Sequence, residues 1–274
     1  GNIEEVAARL ALSVTAVDRL IRSVIEKRPD EVPVAAVTTA PDLVEIEALG
    51  RFEIRRGGSP VQLAPTVAAA VKAVIASRGS IRDELLIDHF WPDADVRTGR
   101  ARLRTVLARV RRGVGDVLVR NGPLVELATD VVVDAFEFED EADRLLRDHD
   151  STLTDLDRLI GTFNGPFLPG DVYETWAAAM RARIDRRYLA LLERGAVLAV
   201  HAGELALAEE LLDRLAALEP DDEDRLVAAG GLLMDADRRS AAIRFARLAR
   251  AAVDGLGMSP SPALVDLEAR ISCS

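Results

Sequence analysis

The sequence predicts a mainly α-helical protein with a small β component. Three observations carry this prediction. Apolar and polar residues alternate over residues 44–55, which is the period of a β-strand. Over most of the remaining chain, apolar residues recur three and four positions apart, as they do on one face of a helix. Alanine, leucine, arginine and acidic residues dominate the 274-residue composition, in which aromatic residues make up only 4%.

Residues 1–43 are predicted to form a helical hairpin followed by a linker. Val6, Leu10 and Val17 recur at helical spacing, and Ser13 is a residue type that caps the start of a second helix. Three prolines and the lack of an apolar stripe indicate a linker over residues 29–41. We expect the hairpin to serve packing or dimerisation. The alternative is a LuxR-type helix-turn-helix, whose first two helices the segment from Val6 to Val17 weakly resembles.

Residues 44–130 show a small sheet, three helices and a hairpin, in that order. Alternation predicts strands over residues 44–48 and 52–55, and Val61–Leu63 predicts a third strand. Asn121-Gly122, between two apolar runs, is a strong hairpin signal. This order predicts a winged helix-turn-helix domain. Its helices are expected from Pro65 to about Arg78, from a cap at Ser80 or Asp83 to about Phe90, and from about Arg97 to Gly113.

The third of these helices is rich in arginine, because residues 97–120 contain eight arginines and one aspartate. Helical spacing predicts one buried stripe, formed by Leu103, Leu107, Val110 and Val114. Arginine can bond guanine through two hydrogen bonds or bind a phosphate, so the opposite face is a candidate site for double-stranded DNA. A solvated charged face is the alternative that charge alone leaves open. The candidate face carries Ala101, Arg102, Thr105, Ala108, Arg109 and Arg112, with Arg104 and Arg111 beside it.

Charge is distributed unevenly along the chain. The net charge of −11 by itself argues against a nucleic-acid partner. Residues 44–130, however, carry 14 basic and 11 acidic side chains, whereas residues 131–274 carry 16 basic and 28 acidic ones. We therefore expect only the middle block to meet a polyanion.

Residues 131–274 are predicted to be entirely helical and to resemble a tetratricopeptide repeat domain. A spacing of 34 residues relates Gly203 to Asp237, Ala208 to Ala242, and Leu211 to Phe245. Small residues stand where paired helices must approach closely. Helices are expected near residues 135–147, 152–161, 174–202, 204–218, 222–234, 238–255 and 261–271.

Motifs in both halves of the chain resemble the Streptomyces antibiotic regulatory protein (SARP) family. Residues 44–130 are similar to its OmpR-type winged-helix DNA-binding domain, and residues 131–274 to its bacterial transcriptional activator domain. The second wing strand lacks the aromatic residue that is usual in the family. The matching residues are Leu49–Ile54, Trp91-Pro92, Leu103, Val110–Arg112, Gly165–Gly170, Trp176, Arg181, Arg187–Leu189 and Leu256–Pro262.

This resemblance implies a transcription activator whose third helix enters the major groove of promoter DNA. Arg102, Thr105 and Arg109 would face bases, while Arg104, Arg112 and Arg120 would hold phosphates. Two copies would bind side by side on direct repeats, as a homodimer on DNA. The helical domain would contact RNA polymerase.

A second hypothesis is a protein-interaction scaffold whose winged helix no longer binds DNA. The net charge, the missing wing aromatic residue and the repeat units favour it. In that case the arginine face would dock an acidic partner or the chain's own acidic domain.

Enzymatic chemistry and membrane insertion are not expected. The three histidines follow no metal-ligand spacing, Gly57-Gly58-Ser59 is not followed by the lysine of a phosphate loop, and Cys273 is the sole cysteine. We therefore expect no catalytic residue, cofactor or metal. No apolar run reaches about 18 residues, so we expect no membrane span and a cytoplasmic protein.

Overall fold

The computed structural model describes residues 43–273, which fold into two compact units. The first unit contains the described residues up to Asp140 together with Asn164–Ile184, and the second contains Glu141–Phe163 and the residues from Asp185 onward. Helices predominate in the described chain and the strands are short, which confirms the predicted fold class. The helical hairpin and linker predicted for residues 1–43 lie outside the described residues, apart from Leu43.

The first unit contains the winged helix-turn-helix that the sequence predicts. Two sheets frame its helices, in the strand orders β3-β2-β1-β7 and β4-β6-β5. Its elements are β1 (Val44–Glu47), β2 (Glu53–Arg56), β3 (Ser59–Val61), α1 (Pro65–Ala76), β4 (Ser80–Arg82), α2 (Asp83–Phe90), α3 (Val96–Val114), β5 (Leu118–Asn121), β6 (Leu124–Leu127), β7 (Val131–Val133) and the beginning of α4 (Asp134–Arg147).

The first sheet confirms the alternation and adds a strand that the sequence did not predict. Ile46 and Ile54 are buried as directly paired residues of the antiparallel strands β1 and β2. Strand β3 begins two residues before its predicted position at Val61 and pairs with β2. Strand β7, a run of three valines, lies parallel to β1 on its other side. Three buried residues show no alternation, so local pattern gives no sign of this strand.

The beginning of α2 differs from its prediction. Ser80 and Asp83 were the predicted caps, but Ser80 lies in strand β4 and Asp83 is already the first helical residue. The N-cap position is Arg82, whose side chain makes no capping hydrogen bond. Pairing of β4 with β6 sets this boundary, since it holds the chain extended up to Arg82.

The wing hairpin exists as predicted, but its turn lies one residue later. Asn121 pairs with Leu124, so the two loop residues are Gly122 and Pro123 rather than Asn121 and Gly122. Gly122 has φ of 59°. A positive φ at the first loop position followed by proline is the pattern of a type II′ turn, which suits the twist of a two-residue hairpin.

Asp134 joins the first sheet to the start of α4. Its carboxylate accepts hydrogen bonds from the backbone N–H groups of Ala48 at 2.8 Å, Leu49 at 3.1 Å and Ala135 at 2.6 Å. Burial raises the pKa of Asp134 to about 6, although the three hydrogen bonds oppose the rise. One side chain therefore satisfies backbone donors at both the end of β1 and the helix N-terminus.

The Gly-Pro-Phe-Leu-Pro-Gly segment packs on the first sheet. Phe167 and Leu168 are buried, and the backbone N–H of Leu168 donates to the carbonyl of Ala48 at 2.8 Å. A Cβ on Gly165 would lie 2.9 Å from the Cα of Gly50, so only glycine allows this approach. Arg181 holds the segment by donating to the carbonyl of Phe167 at 3.2 Å.

The second unit is entirely helical in its described residues. Each of its helices begins and ends within two residues of the predicted position, as expected for long periodic segments. Besides the end of α4, the helices are α5 (Leu153–Gly161), α6 (Thr175–Ala202, which begins in the first unit), α7 (Leu205–Leu218), α8 (Glu223–Asp235), α9 (Arg239–Gly255) and α10 (Pro262–Cys273).

The backbone supports the 34-residue repeat of this unit. Gly203 and Asp237, which the repeat aligns, both have positive φ at the turn before a helix, with values of 79° and 59°. Ala208 and its counterpart Ala242 are both fully buried. Side-chain burial and turn conformation therefore recur at the same interval.

We expect the Asp134 carboxyl to titrate near pH 6, because burial outweighs its hydrogen bonds. The folded state then holds the proton more tightly than the unfolded chain. The protonated Asp134 carboxyl therefore contributes fully to the free energy of unfolding below pH 3.8, the ordinary pKa of an aspartate. This contribution is lost as the pH rises through about 6, the pKa in the folded state. A carboxyl ¹³C titration, assigned with Asp134→Asn, measures the midpoint. A midpoint at or below 3.8 would contradict the expected rise.

Candidate nucleic-acid interface

A close helix crossing positions the candidate interface. A Cβ on Gly99 of α3 would lie 2.5 Å from the Cγ2 of Ile87 on α2, so the two helices approach through a residue without a side chain. Asp95 caps α3 by accepting from the N–H groups of Arg97 at 2.9 Å and Thr98 at 3.0 Å. Helix α3 therefore starts at a defined point and extends for about 28 Å.

The buried side of α3 differs from the prediction at one position. Leu103, Val110 and Val114 are buried as expected. Val106 completes the stripe, whereas Leu107 is only half-buried. A spacing of three and then four residues keeps the stripe centred on a helix of 3.6 residues per turn, so Val106 takes the place assigned to Leu107.

The five predicted site residues of α3 all lie on its exposed side. Three arginines among them, Arg102, Arg104 and Arg109, make no side-chain hydrogen bond or ion pair within residues 43–273. Their guanidinium donors are therefore available to an external acceptor. Arg102 and Arg109 lie about two turns, or roughly 10 Å, apart on the same side of the helix.

Thr105 and Arg112, the other two predicted site residues of α3, form hydrogen bonds with backbone carbonyls of the same helix. Thr105 donates its hydroxyl to the carbonyl of Ala101 at 3.1 Å, and Arg112 donates through Nε to the carbonyl of Ala108 at 3.3 Å. Ala101 and Ala108 are exposed, so a groove could approach the helix backbone closely between the arginines. Arg111 pairs with Asp116 at 2.9 Å.

Arg97 and Arg100 extend the same exposed surface, although neither was a predicted site residue. Both lie near the start of α3, and neither side chain has a partner among the described residues. Both belong to the arginine-rich run of residues 97–120, so the sequence could have identified them as site residues from their position in the first turns of the helix.

Arg120 stands apart from the arginines of α3. Its Nη2 contacts the carboxylate of Asp83 at 2.5 Å, and its Nε donates to the carbonyl of Gly122 at 3.3 Å. The carboxylate partner is buried, while the Arg120 side chain stays 38% exposed. Arg120 therefore has both an internal role in the wing and donors left for an external acceptor.

Residues 43–273 contain no cluster of metal-ligating side chains and no membrane-spanning helix. No group of three or more histidine, cysteine, aspartate or glutamate side chains in that range could hold a metal ion. No helix in the same range is long and apolar enough to cross a membrane.

The C-terminal half of the chain matches a known family model. Residues 133–272 match the bacterial transcriptional activator domain. Because this match covers more than half of the sequence, the chain belongs to the bacterial transcriptional activator domain family, a class of transcription regulators. No curated protein matches the chain by sequence.

A solved structure shares the fold of both units. Mycobacterium tuberculosis EmbR, in complex with a low-affinity phosphopeptide, superposes with a TM-score of 0.68 at 19% sequence identity. The match covers 84% of this chain and 65% of that one, so this chain spans less than two thirds of that protein. At this identity the likeness shows the fold alone. Together with the family match, it confirms the predicted resemblance to the SARP family.

We expect Gly99→Ala to lower the free energy of unfolding by about 1–3 kcal/mol, because the added Cβ forces α2 and α3 apart. Urea unfolding followed by circular dichroism measures the change. Gly231→Ala, also inside a helix but with no atom within 4 Å of the added Cβ, is the matched control. It should be neutral or raise stability by up to about 1 kcal/mol. Equal effects would show that the crossing at Gly99 is not tight.

Proposed function

We propose that this chain is a sequence-specific DNA-binding transcription activator. In this proposal α3 enters the major groove, where Arg102, Thr105 and Arg109 face base edges. Arg104, Arg112 and the remaining donors of Arg120 bind phosphates on either side. The winged helix-turn-helix fold and the family support the proposal, since a recognition helix in this fold presents its exposed face to DNA.

The observation that best supports the proposal is the set of partner-free arginines on the exposed side of one helix. Elsewhere in the described chain most arginines pair with carboxylates, as Arg187 does with Asp143 at 2.7 Å. On α3, Arg102, Arg104 and Arg109 have no such partner within the described residues. A protein that is acidic overall nevertheless concentrates uncompensated positive charge at one surface, which suits a polyanion.

The acidic helical domain is proposed to bind protein rather than DNA. Residues 131–274 carry 28 acidic and 16 basic side chains, so DNA phosphates repel this part of the chain. Its surface is then left for RNA polymerase, the partner that an activator recruits. We propose that two copies bind direct repeats side by side and present two such surfaces.

Arg109→Ala should weaken binding to the preferred duplex by about 1–3 kcal/mol and broaden base preference at one position. The expected loss follows from removing one two-point contact to a guanine. Fluorescence anisotropy with duplexes substituted at single positions measures both effects. An unchanged base preference with weaker binding would instead assign Arg109 to a phosphate.

Selection from a random duplex pool tests the proposed function directly. The chain is incubated with the pool at two salt concentrations, and the bound fraction is sequenced. We expect enrichment of a repeated motif, with weaker retention at higher salt because phosphate contacts release counterions. Arg102→Ala/Arg109→Ala should lose the motif, since it removes two proposed base contacts.

The control for this selection removes the same charge elsewhere. Arg186 and Arg247 are exposed and have no side-chain partner within the described part of the chain. The variant Arg186→Ala/Arg247→Ala should therefore retain the motif. Failure of the wild-type chain to bind at either salt concentration would overturn the proposal in favour of a protein-interaction scaffold. Equal loss of the motif in both double variants would overturn the assignment of Arg102 and Arg109.

A further inference from the structure

The start of α2 is attached to the tip of the wing hairpin at three points. Strand β4, which leads into α2, pairs with β6 and sets Arg82 opposite Leu124. The backbone N–H of Asp83 donates to the carbonyl of Pro123 at 2.8 Å. The carboxylate of Asp83 accepts from Arg120 on β5 at 2.5 Å. Both strands of the hairpin and its turn are thus tied to one helix end.

Asp83 is an unusual residue at this position because it is only 2% exposed. A buried carboxylate is costly unless it is paired and hydrogen-bonded. The α2 N-terminus favours its negative charge, and Arg120 supplies the opposite charge. Loss of either member leaves the other charge without its partner, so the two side chains act as a unit.

Arg120 connects the helix end to the turn. While Nη2 contacts Asp83, its Nε donates to the carbonyl of Gly122, the first residue of the turn. These two contacts hold the guanidinium between α2 and the hairpin. A planar guanidinium held at two atoms has a fixed orientation, so these contacts also fix the direction in which the remaining N–H donors of Arg120 point.

We propose that Asp83 and Arg120 form a positioning pair that fixes the wing relative to the helix-turn-helix and directs the free donors of Arg120 at a DNA phosphate. This inference rests on the proposed DNA-binding function. Asp83 is a positioning residue and makes no contact with DNA. Arg120 is both its partner and the group that meets the phosphate.

Replacing Asp83 by asparagine distinguishes a positioning role of this residue from a simple effect of its charge on DNA binding. Removing a negative charge next to a DNA-binding surface should strengthen binding if charge alone mattered. The positioning pair predicts the opposite sign, because Asp83→Asn releases the guanidinium and costs a phosphate contact. Asp88→Asn is the matched control, since Asp88 lies exposed on the same helix and has no side-chain partner among the described residues.

The experiment measures binding of the full chain to a 40-base-pair duplex of random sequence over a range of salt concentrations. We expect Asp83→Asn to weaken binding about tenfold and to reduce the slope of log K against log salt by about 1, the signature of one lost phosphate contact. Asp88→Asn should bind as well as wild type or better. A partial loss of fold would lower the active fraction without changing that slope.

Amide hydrogen exchange provides a second measurement that needs no DNA. Asp83→Asn should speed exchange of the β5 and β6 amides at least tenfold relative to wild type, while amides of α9 keep their rates. The variant Asp83→Asn/Arg120→Gln leaves no unpaired charge, so we expect it to fold even if Asp83→Asn alone unfolds. Its β5 and β6 amides should also exchange faster than those of wild type, because the contact between Asp83 and Arg120 is lost.

Amide exchange, the salt slope and wild-type binding each test a different part of the proposal. Unchanged exchange in β5 and β6 would overturn the positioning pair, whatever the DNA result. Faster exchange with an unchanged salt slope would overturn its link to the phosphate contact. Absence of wild-type binding at low salt would overturn the proposed function, while exchange would still decide whether Asp83 and Arg120 fix the wing.

Discussion

The packing of α3 determines which of its many arginines can meet a partner. Gly99 brings the helix against Ile87, and the stripe from Leu103 to Val114 fixes its rotation about its own axis. A rotation of one residue position would turn a valine outward and an arginine into the core. The exposed arginine face is therefore a consequence of apolar burial on the opposite side of the helix.

Charge separation then gives this face its chemistry. Ion pairs neutralise many arginines of the second unit, as with Arg187 and Asp143. On α3, by contrast, Arg102, Arg104 and Arg109 have no side-chain partner within the described residues. At the wing the pattern reverses, because Arg120 is held by the buried Asp83. An arginine without an internal partner has all its donors available to a ligand, whereas an arginine held by an ion pair presents its remaining donors in one direction.

The sequence alone predicts the features that depend on local pattern. The helices of the second unit are found within two residues of their predicted ends, because each long segment contains its own 3.6-residue periodicity. Strands β4 and β7 are not predicted from the sequence, because each is only three residues long and forms by pairing with a strand that is distant in sequence. The turn at Gly122 and Pro123 was misplaced for the same reason: strand register, not the dipeptide, decides where the hairpin bends.

The candidate site shows the same division between local and distant information. The exposed arginines of α3 follow from helical geometry, and only the exchange of Leu107 for Val106 in the buried stripe needed the structure. The contact between Asp83 and Arg120 joins residues 37 positions apart, and no spacing rule connects them. Sequence assigned Arg120 to phosphate by its place in the hairpin, whereas the structure adds the buried partner that orients it.

Arginine side-chain NMR during a duplex titration tests most directly whether α3 is the DNA-binding surface. The Nε–H signals of all arginines are followed as a duplex carrying the selected motif is added to the full chain. We expect large shifts for Arg102, Arg104 and Arg109 at the first equivalents of duplex, with Arg186 and Arg247 unchanged. Shifts confined to arginines of the helical unit, with those of α3 unmoved, would contradict it.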